Sequence, residues 1–242
     1  MTERSQLKPL SEDWEKAMAV VAHPDDLEYG AASAVARWTS QGKQVSYLLV
    51  TRGEAGIESM APGETGPLRE AEERNSALIV GVRTVEFLDF KDGVIEYGLP
   101  LRREIARAIR RHRPDILITL NHHLTWDGAA LNMADHRWVA LATLDAARDA
   151  GNRWIFRELL GEGLEPWGGV RMICLSGSPH PTHAVDITAF LDKGIASLKQ
   201  HSEYLRHLSG NFDPEAFLRQ DARETGNRFG CRFAVSFEVI RI

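Results

Sequence analysis

The chain has 242 residues, of which 43% are hydrophobic and 26% are charged, and its formal net charge at pH 7 is −5. This composition fits one globular domain, residues 1–242, and the acidic balance argues against a general nucleic-acid-binding protein. No apolar stretch approaches the length of a membrane span, and residues 1–15 contain no apolar signal-peptide core. We therefore expect a cytoplasmic protein that binds neither nucleic acid nor membrane.

Strand-like and helix-like segments alternate along the chain, which is typical of a parallel sheet with helices on its faces. The apolar runs predict strands at Ala17–Ala22, Val45–Thr51, Val85–Leu88, Asp115–Leu120, Val170–Leu175 and Arg232–Ile242. The segments between them predict helices at Ala31–Gln41, Pro67–Val80, Pro100–His112, Asp135–Ala150 and Ile187–Leu208. The predicted fold class is α/β, with a Rossmann-like, mostly parallel sheet flanked by helices.

Polar segments follow three of the predicted strands. His23–Asp26 follows the first strand, Thr51–Gly56 the second and Asn121–Asp135 the fourth. In open parallel sheets, ligands bind beyond the carboxyl ends of the strands. We therefore expect these three segments to converge on one edge of the sheet.

The helix around Arg102–Arg113 is rich in arginine and resembles a basic patch. Glu104 interrupts the series, and alanine and isoleucine occupy its apolar positions. The pattern therefore predicts a solvated helix face.

The sequence His23-Pro24-Asp25-Asp26 has the composition of a site for a divalent metal ion. Two carboxylates at the end of a buried strand are costly unless a cation or hydrogen bonds compensate them. If the chain turns helically after Ala22, His23 and Asp26 share one face and can bind one ion, whereas Asp25 points elsewhere. A lone His-x-x-Asp pattern is common, so it is the position after a buried strand that favours a metal site.

A catalytic zinc ion usually has three protein ligands, so a third ligand is needed. The loop after the fourth strand offers His122, His123 and His136. We favour His136, because it begins a helix that Asp135 can cap. Ordinary loop histidines and a surface histidine at a helix start are the competing interpretations. Sites of histidine and aspartate discriminate weakly among metals, so Fe²⁺ and Mn²⁺ are alternatives to Zn²⁺.

Several motifs, in the same order, resemble those of the PIG-L, or LmbE-like, family of zinc-dependent N-deacetylases. Residues 22–30 resemble its A-H-P-D-D-E-x-x-G signature, and residues 51–56 its T-x-G-E-x-G loop. Residues 68–72 resemble its L-R-x-x-E helix start, Asp135-His136 the end of its H-x-D-H motif, and residues 185–201 its C-terminal helix. The first motif is highly specific, whereas the others are individually weak.

The resemblance implies an LmbE-like fold and a zinc-dependent amide hydrolase, most often an N-deacetylase of amino sugars or related small metabolites. It implies His23, Asp26 and His136 as the zinc ligands and Asp25 as the general base. It also implies that Arg69 lies beside the substrate, which we expect to be a small N-acetylated sugar conjugate. Whether the protein forms a homo-oligomer is left open by the sequence.

Met133 departs from the family pattern, in which a second histidine occupies this position. A thioether cannot donate a hydrogen bond to the oxyanion that forms during amide hydrolysis. The candidates for a replacement donor are His122, His123, Asn132 and Arg69, and we favour a loop histidine. Alternatively the reaction differs, as in members of the superfamily that resemble zinc hydratases of small unsaturated acids.

The residues predicted to bind substrate are three of these four candidates together with Asp135, which in the family would orient the missing histidine. They are Arg69, His123, Asn132 and Asp135. The loop Trp126–Asn132 is predicted to form a lid or wall, where the indole can stack on a sugar ring. A packed surface loop is the competing interpretation.

Overall fold

The computed structural model describes residues 6–126, 128–208 and 213–242. The described strands are β1 (Lys8–Pro9), β2 (Lys16–Val21), β3 (Gln44–Leu49), β4 (Thr84–Phe87), β5 (Ile116–Thr119), β6 (Met172–Ser176), β7 (His183–Asp186) and β8 (Ala234–Arg241). They form one 8-stranded sheet in the order β1-β7-β8-β6-β5-β2-β3-β4. β8 is antiparallel to β6 and β7, and the other neighbouring strands are parallel. The predicted mostly parallel α/β sheet is confirmed.

Helices flank the sheet and connect its strands. The described helices are α1 (Asp26–Gly30), α2 (Ala32–Ser40), α3 (Pro62–Ile79), α4 (Leu99–His112), α5 (Ala134–Gly151), α6 (Glu158–Gly161), α7 (Leu191–Leu198), α8 (Ser202–His207) and α9 (Pro214–Phe229). None of these described helices combines the length and the apolar character that a membrane crossing requires.

β2 lies between β5 and β3, and its side chains alternate between two hydrophobic cores. The odd-numbered residues from Ala17 to Val21 pack in a core that also contains residues of α2, α7 and α9. The even-numbered residues from Met18 to Ala22 pack in a second core with residues of α4 and α5. Because both faces of the strand are buried, its carboxyl end is held rigidly where His23 begins the polar segment.

Two predicted helices differ in extent from the structure. α3 begins at Pro62 instead of Pro67, because a proline is well tolerated in the first turn, and Pro67 lies inside the helix. The continuous helix predicted at Ile187–Leu208 is wrong, since the chain forms the separate helices α7 and α8. The break between them carries His201 into the interior, where it is completely buried beside two glutamates.

The sequence pattern does not predict β1, β7 or α9. β7 is only four residues long and lies between β1 and β8 at one end of the sheet. The end signals of α9 are nevertheless present in the sequence. Asp213 accepts hydrogen bonds from the backbone N–H groups of Glu215 and Ala216, and Gly230 ends the helix with a φ of 96°. α9 contains few apolar residues, so its sequence shows no clear helical periodicity.

Arg110 of α4 contradicts the predicted solvated face. The residue is only 1% exposed. Its guanidinium donates to the carbonyl oxygens of Ala150, Asn152 and Ile155 at 3.1, 2.8 and 2.9 Å. These hydrogen bonds tie α4 to the end of α5 and to the segment that follows. The neighbouring Arg111 is exposed, as the pattern predicts.

We expect Arg110→Lys to lower the free energy of unfolding by about 2 kcal/mol, because an ammonium cannot reproduce the planar set of donors to several buried carbonyls. Arg111→Lys, on the exposed side of the same helix, should change it by less than about 0.5 kcal/mol. Urea unfolding of both variants measures the difference. Equal stability of the two variants would contradict this role of Arg110.

Candidate metal and catalytic site

A cavity of about 370 Å³ opens at the carboxyl ends of the parallel strands. The segments after β2, β3 and β5 all contribute to its walls, so the predicted convergence is present. The segment after β4 joins them, which the sequence pattern does not predict. The charged and imidazole residues of the lining are His23, Asp25, Asp26, Arg69, Asp92 and His136.

Three of the lining residues have the arrangement of a metal site. His23, Asp26 and His136 each offer one ligand atom, and these atoms lie within 4.8 Å of one another. Nε2 of His136 lies 3.2 Å from Nδ1 of His23 and 3.1 Å from Oδ1 of Asp26. These spacings suit three ligands on one tetrahedral ion with metal–ligand distances of about 2.0–2.2 Å.

The carboxylate of Asp26 is fixed by the end of β2. Its Oδ2 accepts hydrogen bonds from the backbone N–H groups of Ala22 and His23 at 3.0 and 2.8 Å. Its Oδ1 is thereby directed toward His136. Burial by itself raises the pKa of Asp26, but His136 and His23 outweigh this effect and hold the pKa well below its usual range. Asp26 is therefore an anion that can bind a cation.

The two imidazoles are oriented by hydrogen bonds on their far sides. Nε2 of His23 lies 2.9 Å from Oδ1 of Asp92 and 3.3 Å from Oδ2 of Asp135. Nδ1 of His136 lies 3.1 Å from Oδ1 of Asn132. If these outer nitrogens carry the protons, Nδ1 of His23 and Nε2 of His136 present lone pairs to an ion, as is usual for histidine ligands.

Asn132 and Asp135, which were predicted to bind substrate, therefore contact the two histidines. Asp135 also accepts hydrogen bonds from the backbone N–H groups of Gly93 and Ile95 at 2.7 and 3.2 Å. Asn132 is completely buried, and Asp135 is 2% exposed. Their observed contacts orient the imidazoles, and their contact with a substrate stays a prediction.

Asp25 faces a different partner from Asp26. Its backbone is left-handed, with a φ of 88°. Its Oδ1 accepts a hydrogen bond from Nη2 of Arg69 at 2.9 Å, and its backbone N–H donates to Glu73 at 3.3 Å. Burial raises the pKa of Asp25 to about 6, and the Arg69 guanidinium limits the rise. The carboxyl group can therefore exchange a proton near neutral pH.

Arg69 is 2% exposed and joins several segments of the site. It donates to the carbonyl oxygens of Gly53 and Pro24 at 3.0 and 2.5 Å, besides its hydrogen bond to Asp25. The ring of Tyr204 lies 4.1 Å from the guanidinium carbon. Gly53 is required beside Arg69, because a Cβ at that position would lie 2.2 Å from Nη1.

A buried cluster supports Asp25 from the interior. Nε2 of His201 lies 3.7 Å from a carboxylate oxygen of Glu28 and 3.7 Å from one of Glu73. Burial by itself lowers the pKa of His201, but Glu28 and Glu73 raise it to about 9, so the imidazole is a cation at neutral pH. Because Glu73 also binds the backbone N–H of Asp25, the cluster helps to hold the left-handed turn.

Some residues of the loop around Met133 line the cavity, and others are absent from its described lining. Met133 and Trp126 line the cavity, and the Trp126 ring contacts His136 with 5.5 Å between centroids. His122 and His123 are absent from the described lining, and Nε2 of His123 lies 2.8 Å from Glu238 on β8. The predicted contact of His123 with substrate stays a prediction. Asp127 of the predicted lid lies outside the described residues.

Several residues of the site escape prediction from the sequence. Asp92 follows β4, and ligands bind beyond the carboxyl ends of parallel strands, so its position after a strand is a signal that could have identified it. Tyr29 and Tyr204 also line the cavity. Burial raises the pKa of both phenols, so they stay protonated and can donate hydrogen bonds. No local pattern marks Tyr204, because its place in the site depends on the break between α7 and α8.

Comparison with known proteins identifies similar sequences and folds. Residues 18–147 match the profile of the family described as "PIG-L: GlcNAc-PI de-N-acetylase". The diacetylchitobiose deacetylase of Thermococcus kodakarensis is 29% identical over 231 residues, which cover 94% of this chain and 84% of that protein.

Two solved structures illustrate the shared fold. The N,N'-diacetylchitobiose deacetylase of Pyrococcus horikoshii superposes with a TM-score of 0.86 at 24% identity, covering 95% of this chain and 85% of that chain. The 4-carboxy-2-hydroxymuconate hydratase of Pseudomonas putida superposes with a TM-score of 0.74 at 18% identity, covering 93% of this chain and 96% of that chain. At these identities the superpositions establish the fold alone.

We expect Asp92→Ala to weaken the binding of Zn²⁺ by about 10- to 100-fold, because His23 loses a hydrogen-bond acceptor that orients it. Asp89→Ala is the matched control, since the Asp89 carboxylate lies in the same segment but is 91% exposed and paired with Arg52. Competition with a chromophoric chelator measures both affinities. Equal affinities in the two variants would show that Asp92 does not orient a metal ligand.

Proposed function

Because the chain belongs to the PIG-L family of GlcNAc-PI de-N-acetylases, we propose that it is a zinc-dependent N-deacetylase. The observation that carries this proposal is the position of Asp25 in one cavity with His23, Asp26 and His136. A set of three ligands beside a separate, buried carboxylate suits a hydrolytic site, because a purely structural metal site has no use for an extra proton acceptor. The predicted cytoplasmic location and the single-domain organisation stay predictions.

We assign the metal to His23, Asp26 and His136, whose donor set of two imidazoles and one carboxylate suits zinc and also Fe²⁺ or Mn²⁺. When bound, a zinc ion supplies a Lewis acid that makes water more acidic and polarises a carbonyl group. The protein residues then have to supply the proton transfers and the orientation of the substrate.

Asp25 is the proton carrier in this proposal. Its carboxylate accepts a proton from the water that attacks the amide carbon, and it returns that proton to the nitrogen of the leaving amine. The C–N bond breaks, and the products are acetate and a free amine. A pKa of about 6 suits both steps, since the group is mostly ionised at neutral pH but still able to hold a proton.

Arg69 is the protein donor that we assign to the carbonyl oxygen of the substrate. Met133 lines the cavity but lacks a donor, and His123 is bound to Glu238. Arg69 lines the same cavity, carries a full positive charge, and has a buried Nε without a hydrogen-bond partner. The protonated phenol of Tyr204, which packs on the guanidinium, is a second donor near this position.

The substrate that we propose is an N-acetylated amino sugar or a small conjugate of one. A cavity of about 370 Å³ accommodates a small molecule of this kind. Trp126, Tyr29 and Tyr204 contribute aromatic surfaces to its lining, on which the apolar face of a sugar ring can pack. The diacetylchitobiose deacetylase of Thermococcus kodakarensis, which is 29% identical to this chain, supports an N-acetylated substrate.

A hydratase is the second candidate function, and Met133 favours it. Addition of water to an unsaturated acid forms no tetrahedral amide intermediate, so it does not need the donor that this position usually supplies. The 4-carboxy-2-hydroxymuconate hydratase of Pseudomonas putida shares the fold with a TM-score of 0.74. The same metal ligands and Asp25 would serve this reaction.

We expect the zinc-loaded protein to release acetate from N-acetylglucosamine or N,N'-diacetylchitobiose, and Asp25→Asn to lower kcat by about 10²- to 10⁴-fold. Zinc content should be unchanged in that variant, because Asp25 is not one of the three ligands. Acetate release and metal analysis check the two outcomes. Addition of water to unsaturated acids without cleavage would favour the hydratase instead, and normal turnover of Asp25→Asn would refute the assignment of the base.

The pH dependence tests the pair formed by Asp25 and Arg69. The base works when it is ionised, so kcat/KM falls as the pH drops through the pKa of Asp25. Removing the guanidinium in Arg69→Met should raise this pKa and move the acidic limb of the profile upward by about one pH unit or more. Arg69→Lys keeps the charge and should leave the limb close to its original position. If the acidic limb lay at the same pH in the unmodified protein and in both variants, Arg69 would not influence the pKa of Asp25.

A further inference from the structure

A second cluster of side chains that could bind a metal ion lies outside the cavity. His122 and His123 follow β5, and Glu238 belongs to β8, on the other side of β6 in the sheet. Each of the three offers one ligand atom, and these atoms lie within 4.8 Å of one another. The chain separation between the histidines and Glu238 means that only the folded sheet brings them together.

The cluster is already partly organised. Nε2 of His123 lies 2.8 Å from Oε2 of Glu238, and the hydroxyl of Ser178 donates to the same oxygen. The rings of His122 and His123 lie with 4.1 Å between their centroids. Nδ1 of His122 is buried and has no hydrogen-bond partner. A buried nitrogen without a partner is costly, and a cation bound at Nδ1 would give it one beside an oriented imidazole and a carboxylate.

The donor types restrict the class of cation. Two imidazoles and one carboxylate suit divalent transition metals such as Zn²⁺, Co²⁺ or Ni²⁺, whereas Ca²⁺ and Mg²⁺ prefer oxygen ligands. All three residues are only partly buried, so water can complete the coordination. The combination matches the donor set of the first site, although it shares no residue with it.

The cluster is linked to the cavity through the backbone of the loop. The side-chain amide of Asn132 donates to the carbonyl oxygens of Asn121 and His123 at 2.8 and 3.1 Å. The carbonyl oxygen of the same amide group holds His136 at 3.1 Å. A cation on His123 would therefore stiffen the segment that orients a ligand of the first site.

We propose that His122, His123 and Glu238 form a second site for a divalent transition metal, which fastens the loop after β5 to strand β8. This inference does not depend on the reaction at the first site. It assigns a structural ion to a position outside the cavity, between the loop after β5 and strand β8, and the first site keeps its own ion on His23, Asp26 and His136.

Titration with Zn²⁺ alone, followed by calorimetry, and with Co²⁺ alone, followed by its visible absorption, tests the proposal. The metal-free protein should bind a second equivalent. In both Glu238→Gln and His122→Ala the affinity for this second equivalent should fall by at least about tenfold. Glu238→Gln preserves the shape of the side chain, so it tests the ligand with the least risk to folding. His136→Ala should remove the other equivalent and leave this one.

His112→Ala is the matched control. His112 lies 2.8 Å from a carboxylate oxygen of Glu86, as His123 does from Glu238, but the pair belongs to no group of three ligands among the described residues. This variant should keep both equivalents. Binding of a single equivalent by the unmodified protein, or unchanged affinity for the second equivalent in Glu238→Gln and His122→Ala, would overturn the proposal.

Discussion

The structure depends on a turn that separates two neighbouring carboxylates. Asp25 adopts a left-handed backbone with a φ of 88°, a conformation that costs about 1–3 kcal/mol at a residue other than glycine. This turn directs Asp25 toward Arg69 and Asp26 toward His136. Burial then raises the pKa of Asp25, while the imidazoles outweigh burial at Asp26 and lower its pKa. Adjacent residues thereby have opposite pKa shifts, which suits the proposed roles of Asp25 as proton carrier and Asp26 as anionic metal ligand.

Distant parts of the chain hold this turn and its partners in place. Glu73 on α3 binds the backbone N–H of Asp25, and Nε2 of His201 after α7 lies 3.7 Å from a carboxyl oxygen of Glu73 and 3.7 Å from one of Glu28. Asp92 after β4 orients His23 from the far side of the imidazole ring. The hydrogen bonds that orient Asp25 and His23 come from segments that are far apart in sequence. The site therefore forms only when these segments are assembled at the same edge of the sheet.

The sequence predicts the inner part of the site better than the outer part. His23 and Asp26 can be paired because they are close in the chain and follow an apolar strand, and a rigid helix start favours His136 over the loop histidines. The structure brings these three together. It places Nε2 of His123 2.8 Å from Glu238 on β8, and His123 is absent from the described lining of the cavity, although Trp126 and Met133 of the same loop belong to that lining. The direction of a loop depends on its tertiary contacts and leaves no periodic signal.

The sequence by itself determined the mostly parallel sheet, the edge at which polar segments converge, and the three residues proposed as metal ligands. These follow from local features, namely apolar periodicity, helix ends and short spacings, which act within a few residues. The break that buries His201, the burial of Arg110 and the approach of Asp92 to His23 were decided only by the tertiary structure. Each depends on charge and hydrogen-bond contacts between remote segments, whose free energy is gained only when the surrounding core is packed.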